Sequence, residues 1–234
     1  MSNFELIRFS STEELVNQVA QNWVSAVQDN PTMSVALSGG RVAKTFLAKT
    51  AELATANGVS FGQVQFFWGD ERCAPPDHNE SNFKLAKDAM FNALDIPAEN
   101  IHRLRGEDDG AAASAIAIED LKKTVAANDS GIPVIDIVFL GMGEDAHVAS
   151  LFPEEDEAAR NLPDFFRPVT ATKPPPNRIT ISYNVIAAAK EVWVLASGTA
   201  KADALNASLK PDANTPFARV LKSRSITKVF TDIA

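Results

Sequence analysis

The sequence predicts an α/β fold: a single-domain three-layer sandwich over residues 1–234, with helices on both faces of a mostly parallel, Rossmann-like sheet. Three observations carry this. Short apolar runs alternate with amphipathic helical patterns, the order expected when parallel strands are joined by crossover helices. Several of those runs end in polar, glycine-containing clusters, where open parallel sheets place their ligands. The composition is that of a globular chain, 45% apolar and 22% charged over 234 residues, and a chain of this size buries a full core without covalent staples.

The first helix starts at Ser11, which stands at capping-box spacing from Glu14. Leu15, Val16, Val19, Ala20, Trp23, Val24 and Val27 then recur at helical intervals and form one apolar stripe, which Asn30-Pro31 ends. Met33–Leu37 reads as a short buried strand. It runs through Ser38-Gly39-Gly40 into a second helical pattern of Val42, Ala43, Phe46, Leu47, Ala51 and Ala54, closed by Asn57-Gly58. Val64–Trp68 is the next strand, and Gly69-Asp70-Glu71-Arg72 leaves it. After a proline-containing loop, Cys73–Glu80, Ser81 caps a helix to about Leu94, and an alanine-rich helix covers about Ala111–Ala127. Val134–Leu140 is the most hydrophobic strand and exits into Gly141-Met142-Gly143. Arg178–Ser182, Glu191–Ala196 and Thr227–Thr231 read as further strands of the same sheet, with a helix near Ala200–Leu209 between the last two. Lys173–Pro176 reads as an ordered loop, and the acidic run Glu154–Glu157 as solvated surface.

With 22 Lys and Arg against 30 Asp and Glu, the formal charge is −8. That excludes nucleic acid and anionic membrane surfaces as main partners, since both demand a basic face. Cys73 is the only cysteine, so no internal disulfide forms. Met1–Ser10 lacks the apolar core of a signal peptide, and no segment has the ~18 apolar residues of a membrane span. A cytoplasmic, monomeric protein acting on a small molecule is expected.

Four polar clusters follow strands. Ser38-Gly39-Gly40-Arg41 precedes a helix whose free N–H groups and partial positive charge suit a phosphate, with Arg41 and Lys44 adding charge; the alternative is a plain strand-to-helix turn. In Gly69-Asp70-Glu71-Arg72, Arg72 suits a phosphate or carboxylate, and Asp70 or Glu71 suits a sugar hydroxyl or the orientation of a base; the alternative is a self-neutralising turn. In Gly141 to His147, the histidine suits general base work, with Glu144 or Asp145 holding its ring. Lys201, after Ser197-Gly198, is again placed for an anion, and Arg178 opens its strand and reaches the same site only if the preceding loop bends back. His78 and His102 read as surface residues. The histidine spacing lacks a zinc pattern, and Cys73 has no partner base.

Taken together, these segments resemble the 6-phosphogluconolactonases of the glucosamine-6-phosphate isomerase/6-phosphogluconolactonase superfamily. The resemblance runs through Leu37-Ser38-Gly39-Gly40, Trp68 to Arg72 with Pro76-Asp77-His78 and Ser81-Asn82, Gly141-Met142-Gly143 through His147 to Ala149-Ser150-Leu151-Phe152-Pro153, Pro175–Thr180, and Ser197-Gly198 with Lys201. Two departures stand out. Arg41-Val42-Ala43 replaces the family's usual Ser-Thr-Pro, and Ala146 replaces a glycine, which strains the backbone if that position needs positive φ. The related deaminases read Asp-Glu-Tyr and then Asn-Glu-Pro, where this chain has Asp-Glu-Arg and Ala-Ser-Leu-Phe-Pro.

The resemblance implies hydrolysis of 6-phospho-D-glucono-1,5-lactone in the oxidative pentose phosphate pathway. Catalytic roles then fall to His147, Asp70 and Asp145, and substrate or phosphate binding to Ser38, Gly39, Gly40, Arg41, Arg72, Arg178 and Lys201. Backbone N–H groups near Gly143 are expected to meet the oxyanion, and no metal or organic cofactor is required. The other readings are a sugar-phosphate isomerase or deaminase with Asp70 as its base, and a non-catalytic sugar-phosphate-binding module. All readings require Arg41, Lys44, Arg72, Arg178 and Lys201 to converge on one pocket of an acidic protein.

Overall fold

The computed structural model describes residues 3–234. Its nine strands are β1 (Glu5–Arg8), β2 (Ser34–Leu37), β3 (Gln65–Trp68), β4 (Asp70–Arg72), β5 (Ile137–Gly141), β6 (Phe166–Thr170), β7 (Asn177–Ile181), β8 (Glu191–Ala196) and β9 (Lys228–Thr231). The α-helices are α1 (Thr12–Asp29), α2 (Arg41–Asn57), α3 (Asn82–Ala86), α4 (Asn92–Leu94), α5 (Gly110–Thr124), α6 (Glu157–Arg160), α7 (Tyr183–Ala188), α8 (Ala202–Ser208) and α9 (Pro216–Lys222).

Six strands form one sheet in the order β1-β9-β8-β5-β2-β3, and every pairing in it is parallel. Helices flank it, and strands such as β2 and β5 are near-continuous apolar runs because both of their faces are covered. The core gathers aromatics between α1, α2 and the sheet. The Trp23 ring lies 5.4 Å from Phe46, 5.2 Å from Phe61 and 4.8 Å from Phe139, contacts worth roughly 0.5–1.5 kcal/mol each beyond burial.

The α1 stripe consists of the seven residues read from the periodicity. Ser11 caps the helix by accepting from the Glu14 N–H at 3.2 Å, but the Glu14 carboxylate accepts from Ser10 N–H and Oγ, one residue earlier than a capping box requires. Gly58 ends α2 in the left-handed region, as expected. The helix expected from Ser81 begins there and then widens into a π turn over Lys87–Phe91 between α3 and α4.

The single-sheet expectation is corrected. Arg178–Ser182 is not part of the parallel sheet. Its residues form β7, the centre of a separate antiparallel sheet ordered β4-β7-β6. Chain direction makes the difference: β3 turns out of the main sheet at Gly69, whose N–H donates to the Leu37 carbonyl and whose own carbonyl accepts from Ile181 N–H. That glycine joins the two sheets, and Asp70-Glu71-Arg72 is a strand where a loop exit was expected. The Glu154–Glu157 run is also not uniformly solvated, since Glu155 pairs with the buried Arg167 at 2.7 Å. His102 is not a free surface residue: its ring stacks on Phe67 at 4.4 Å and lies between Asp120 and Gln65.

All six parallel strands end at the same edge of the sheet. From β2 the chain passes to β3 on one side and later to β5 on the other, so a topological switch point lies between β2 and β5. The Ser38 hydroxyl accepts from Gly141 N–H at 3.2 Å across that point.

Candidate active site

A cleft of about 380 Å³ opens at the switch point. Ser38, Gly39, Gly40 and Arg41 come to it from the β2–α2 turn, Asp70 and Arg72 from β4, and His147 from the loop after β5. Arg178 enters from β7 and Lys201 from the turn after β8. Nine of the ten proposed site residues therefore line one cavity. The tenth, Asp145, stands behind the wall against His147. Lys44 does not converge: it lies exposed on α2 and does not line the cleft, although Arg41, Val42 and Thr45 on either side of it do.

The α2 end of the cleft is built for an anion. Gly40 occupies the cap position with φ 100°, a conformation open to glycine, and no side chain caps the helix. The first-turn N–H groups are therefore left for a ligand. Cations surround this end in like-charged pairs. Arg72 and Arg178 lie directly opposite each other in the β4–β7 register. Burial lowers the Arg178 guanidinium pKa, and Arg72 lowers it further; burial and then Arg41 do the same to Lys201. Like charges directly opposed across strands are destabilising, a cost that an anion in the cleft would offset. Glu80 offsets part of it by pairing with Arg72 Nη1 at 2.7 Å.

The histidine loop is built by close contacts. Any side chain at Gly143 would collide with the His147 imidazole. With glycine there, Asp145 Oδ1 meets His147 Nδ1 at 2.5 Å and the Phe152 ring packs 5.0 Å from the imidazole. Burial alone would push the Asp145 carboxyl up, but hydrogen bonds from Lys173 and His147 outweigh it and hold the group well below the usual carboxylate range. The loop closes through Gly143 N–H to the His147 carbonyl at 2.9 Å and Ala146 N–H to the Gly143 carbonyl at 3.0 Å. The Gly143 and Ala146 N–H groups are thus occupied within the loop, so neither is among the backbone N–H groups near Gly143 left to meet an oxyanion. Ala146 does take positive φ, 62°, and Ala149 takes 50°, so the alanine departure falls on a strained position.

The two carboxylates of β4 differ. Asp70 is buried yet lines the cleft, and it accepts from Ser150 Oγ at 2.7 Å and from Asn82 Nδ2 at 3.3 Å. Glu71 turns away from the cleft. It accepts from the N–H groups of Arg72, Asn82 and Phe83 and from Ser81 Oγ, all within 3.0 Å, and so anchors the start of α3. Burial raises its pKa against those bonds. Glu71 therefore neither orients a base nor meets a sugar. Burial and the neighbouring Glu71 push the Cys73 thiol up, which leaves it a poor nucleophile.

Residues given no site role in the sequence complete the walls. Thr12, Ser197 and Gly198 line the cleft, and Asp232 ties them together, accepting from Thr12 Oγ1 at 2.5 Å, Ser197 Oγ at 2.7 Å and Gly198 N–H at 2.9 Å. Asp232 follows β9 directly, so the strand-end rule that selected the other clusters also points to it.

The chain matches the family model described as glucosamine-6-phosphate isomerases/6-phosphogluconolactonase over residues 9–230. It is 33% identical to a 6-phosphogluconolactonase of Haemophilus influenzae across 235 aligned residues, covering 97% of each protein. A 6-phosphogluconolactonase of Nostoc is 37% identical over 192 residues, covering 81% of this chain and 77% of that protein. The solved structure of 6-phosphogluconolactonase from Trypanosoma cruzi superposes with a TM-score of 0.81 at 25% identity, covering 99% of this chain and 96% of that one.

Proposed function

The chain belongs to the glucosamine-6-phosphate isomerase/6-phosphogluconolactonase family, and we infer from this that it is a hydrolase that opens 6-phospho-D-glucono-1,5-lactone to 6-phosphogluconate in the pentose phosphate pathway. The likeness to 6-phosphogluconolactonases extends over nearly the whole chain, and one observation within the site carries the chemistry. A histidine with its Nδ1 held by a carboxylate faces a cationic cleft.

The residue roles rest on the geometry. The phosphate docks at Ser38, Gly39 and Gly40, where the uncapped α2 N-terminus and Arg41, Arg72, Arg178 and Lys201 supply positive charge. Its two negative charges relieve the repulsion within the Arg72–Arg178 and Arg41–Lys201 pairs. Asp70 accepts hydrogen bonds from sugar hydroxyls and fixes the ring. His147 Nδ1–H donates a hydrogen bond to the Asp145 carboxylate, which leaves Nε2 as the proton acceptor. Nε2 takes a proton from water as its oxygen adds to the lactone carbonyl carbon. The tetrahedral intermediate then breaks the bond from that carbon to the ring oxygen, and the imidazolium returns the proton to the departing alkoxide. The acid formed loses a proton to solvent at neutral pH, and the histidine is regenerated.

Freshly prepared lactone, with its opening monitored by a pH indicator at neutral pH, tests this reading. The protein is expected to accelerate opening far above buffer, and a rate equal to buffer contradicts it. Release of ammonia from glucosamine 6-phosphate would instead support the deaminase reading.

A further inference from the structure

Lys173 lies in the segment between β6 and β7, outside the residues proposed to bind or transform substrate. Its ammonium meets Asp145 Oδ2 at 2.8 Å, while the other oxygen of the same carboxylate meets His147 Nδ1 at 2.5 Å. The segment is fastened from the cleft side by Arg178, whose Nε donates to the Pro175 carbonyl at 3.0 Å and whose Nη2 donates toward the Lys173 carbonyl at 3.4 Å. A backbone tied to the cleft wall thus delivers one ammonium to one carboxylate.

The Lys173 side chain is 53% exposed, against 23% for Asp145. As a surface ion pair it would add only ~0–1 kcal/mol to stability. Its larger effect is on the charge that Asp145 presents to His147. A carboxylate beside an imidazole favours the imidazolium, and a protonated ring cannot take a proton from water. An ammonium on the second carboxylate oxygen opposes that bias. It also holds Asp145 in the orientation that meets Nδ1. Other charges face the same space: Glu144 on the histidine's own loop, Asp70 and Arg72 on β4, Arg41 on α2, Arg178 on β7 and Lys201 after β8. Among the described residues, only Lys173 and His147 bond to the Asp145 carboxylate through side chains.

We propose that Lys173 is a positioning residue for the catalytic base: it sets the Asp145 carboxylate on His147 Nδ1 and offsets the charge that carboxylate presents to the ring. This rests on the reading of His147 as the base.

The test is a titration of the ring nitrogens of labelled histidine by NMR in the parent, Lys173→Met and Lys173→Arg proteins. The chain has three histidines, and His147→Gln assigns the relevant signal. In Lys173→Met the His147 midpoint is expected to rise by about half a pH unit or more. Lys173→Arg keeps it near the parent value, and in each variant the acid limb of kcat follows the His147 midpoint. An unchanged His147 midpoint in a Lys173→Met protein with parental Tm overturns the proposal. A midpoint that moves while the acid limb stays fixed supports the Lys173–Asp145–His147 coupling and instead removes His147 as the base, so the two failures are told apart.

Discussion

The two sheets contribute to the cleft in different ways. The six-stranded parallel sheet offers residues at or just beyond its strand ends: Ser38 after β2, Gly141 at the end of β5, His147 beyond it and Ser197 after β8, with Asp232 after β9 behind the wall. Its own residues are covered on both faces and carry no chemistry. The three-stranded antiparallel sheet instead presents residues from within its strands, with Asp70, Arg72 and Arg178 pointing from β4 and β7 into the cavity. The large sheet positions turns and helix ends, while the small one supplies fixed side-chain charges. Register keeps the Arg72 and Arg178 backbones opposed, while Glu80 holds one guanidinium and the Pro175 carbonyl the other.

That contrast can be broken at several points. The largest structural effect is expected from Glu71→Ala, because three N–H groups and a hydroxyl lose a buried acceptor at once. A loss of roughly 2–3 kcal/mol in urea unfolding is expected, at the upper end for a buried acceptor. A change below about 0.5 kcal/mol would show that Glu71 is not the anchor of the small sheet and α3.

Arg178→Met comes next and acts on binding. Loss of a charged hydrogen-bonding partner costs roughly 1.5–3 kcal/mol. A ten- to hundredfold rise in KM for the lactone is therefore expected, about 1.4 kcal/mol per tenfold, with the same weakening for 6-phosphogluconate by calorimetry. Equal affinity in both proteins would place the phosphate on the α2 turn alone, and the small sheet would lose its electrostatic role.

The smallest effect is a gain. Ala146 holds φ 62° in a buried loop, a conformation costing roughly 1–2 kcal/mol for a residue with a Cβ. Ala146→Gly relieves that cost but loses backbone entropy, so a net stabilisation of about 0.5–1 kcal/mol is expected as a higher Tm. A lower Tm would mean that contacts of the Ala146 methyl outweigh the strain.

The same contrast explains what was legible in the sequence. The parallel sheet shows itself because its strands are unbroken apolar runs and α1 repeats its stripe without interruption. The small sheet does not. Phe166–Thr170 contains Arg167 and Pro168, and Asp70-Glu71-Arg72 has no apolar residue. Both owe their strand pairing to β7, a long-range contact with no local signature. Site residues at strand ends were found, and so was Arg178, though only as a conditional member whose place depended on the loop before it. Asp232 and Lys173 were missed for different reasons: Asp232 follows an apolar strand and was open to the same rule, while Lys173 gains its role only when a proline-rich loop folds over Asp145.

His147→Ala, assayed for turnover of fresh lactone alongside calorimetric binding of 6-phosphogluconate, tests the account most directly. Turnover should fall by about 10²–10⁴ for loss of a general base, while product affinity stays within about threefold, since the proposed phosphate contacts lie on the α2 turn, the small sheet and Lys201. Turnover equal to the parent, with the fold intact, would contradict the account.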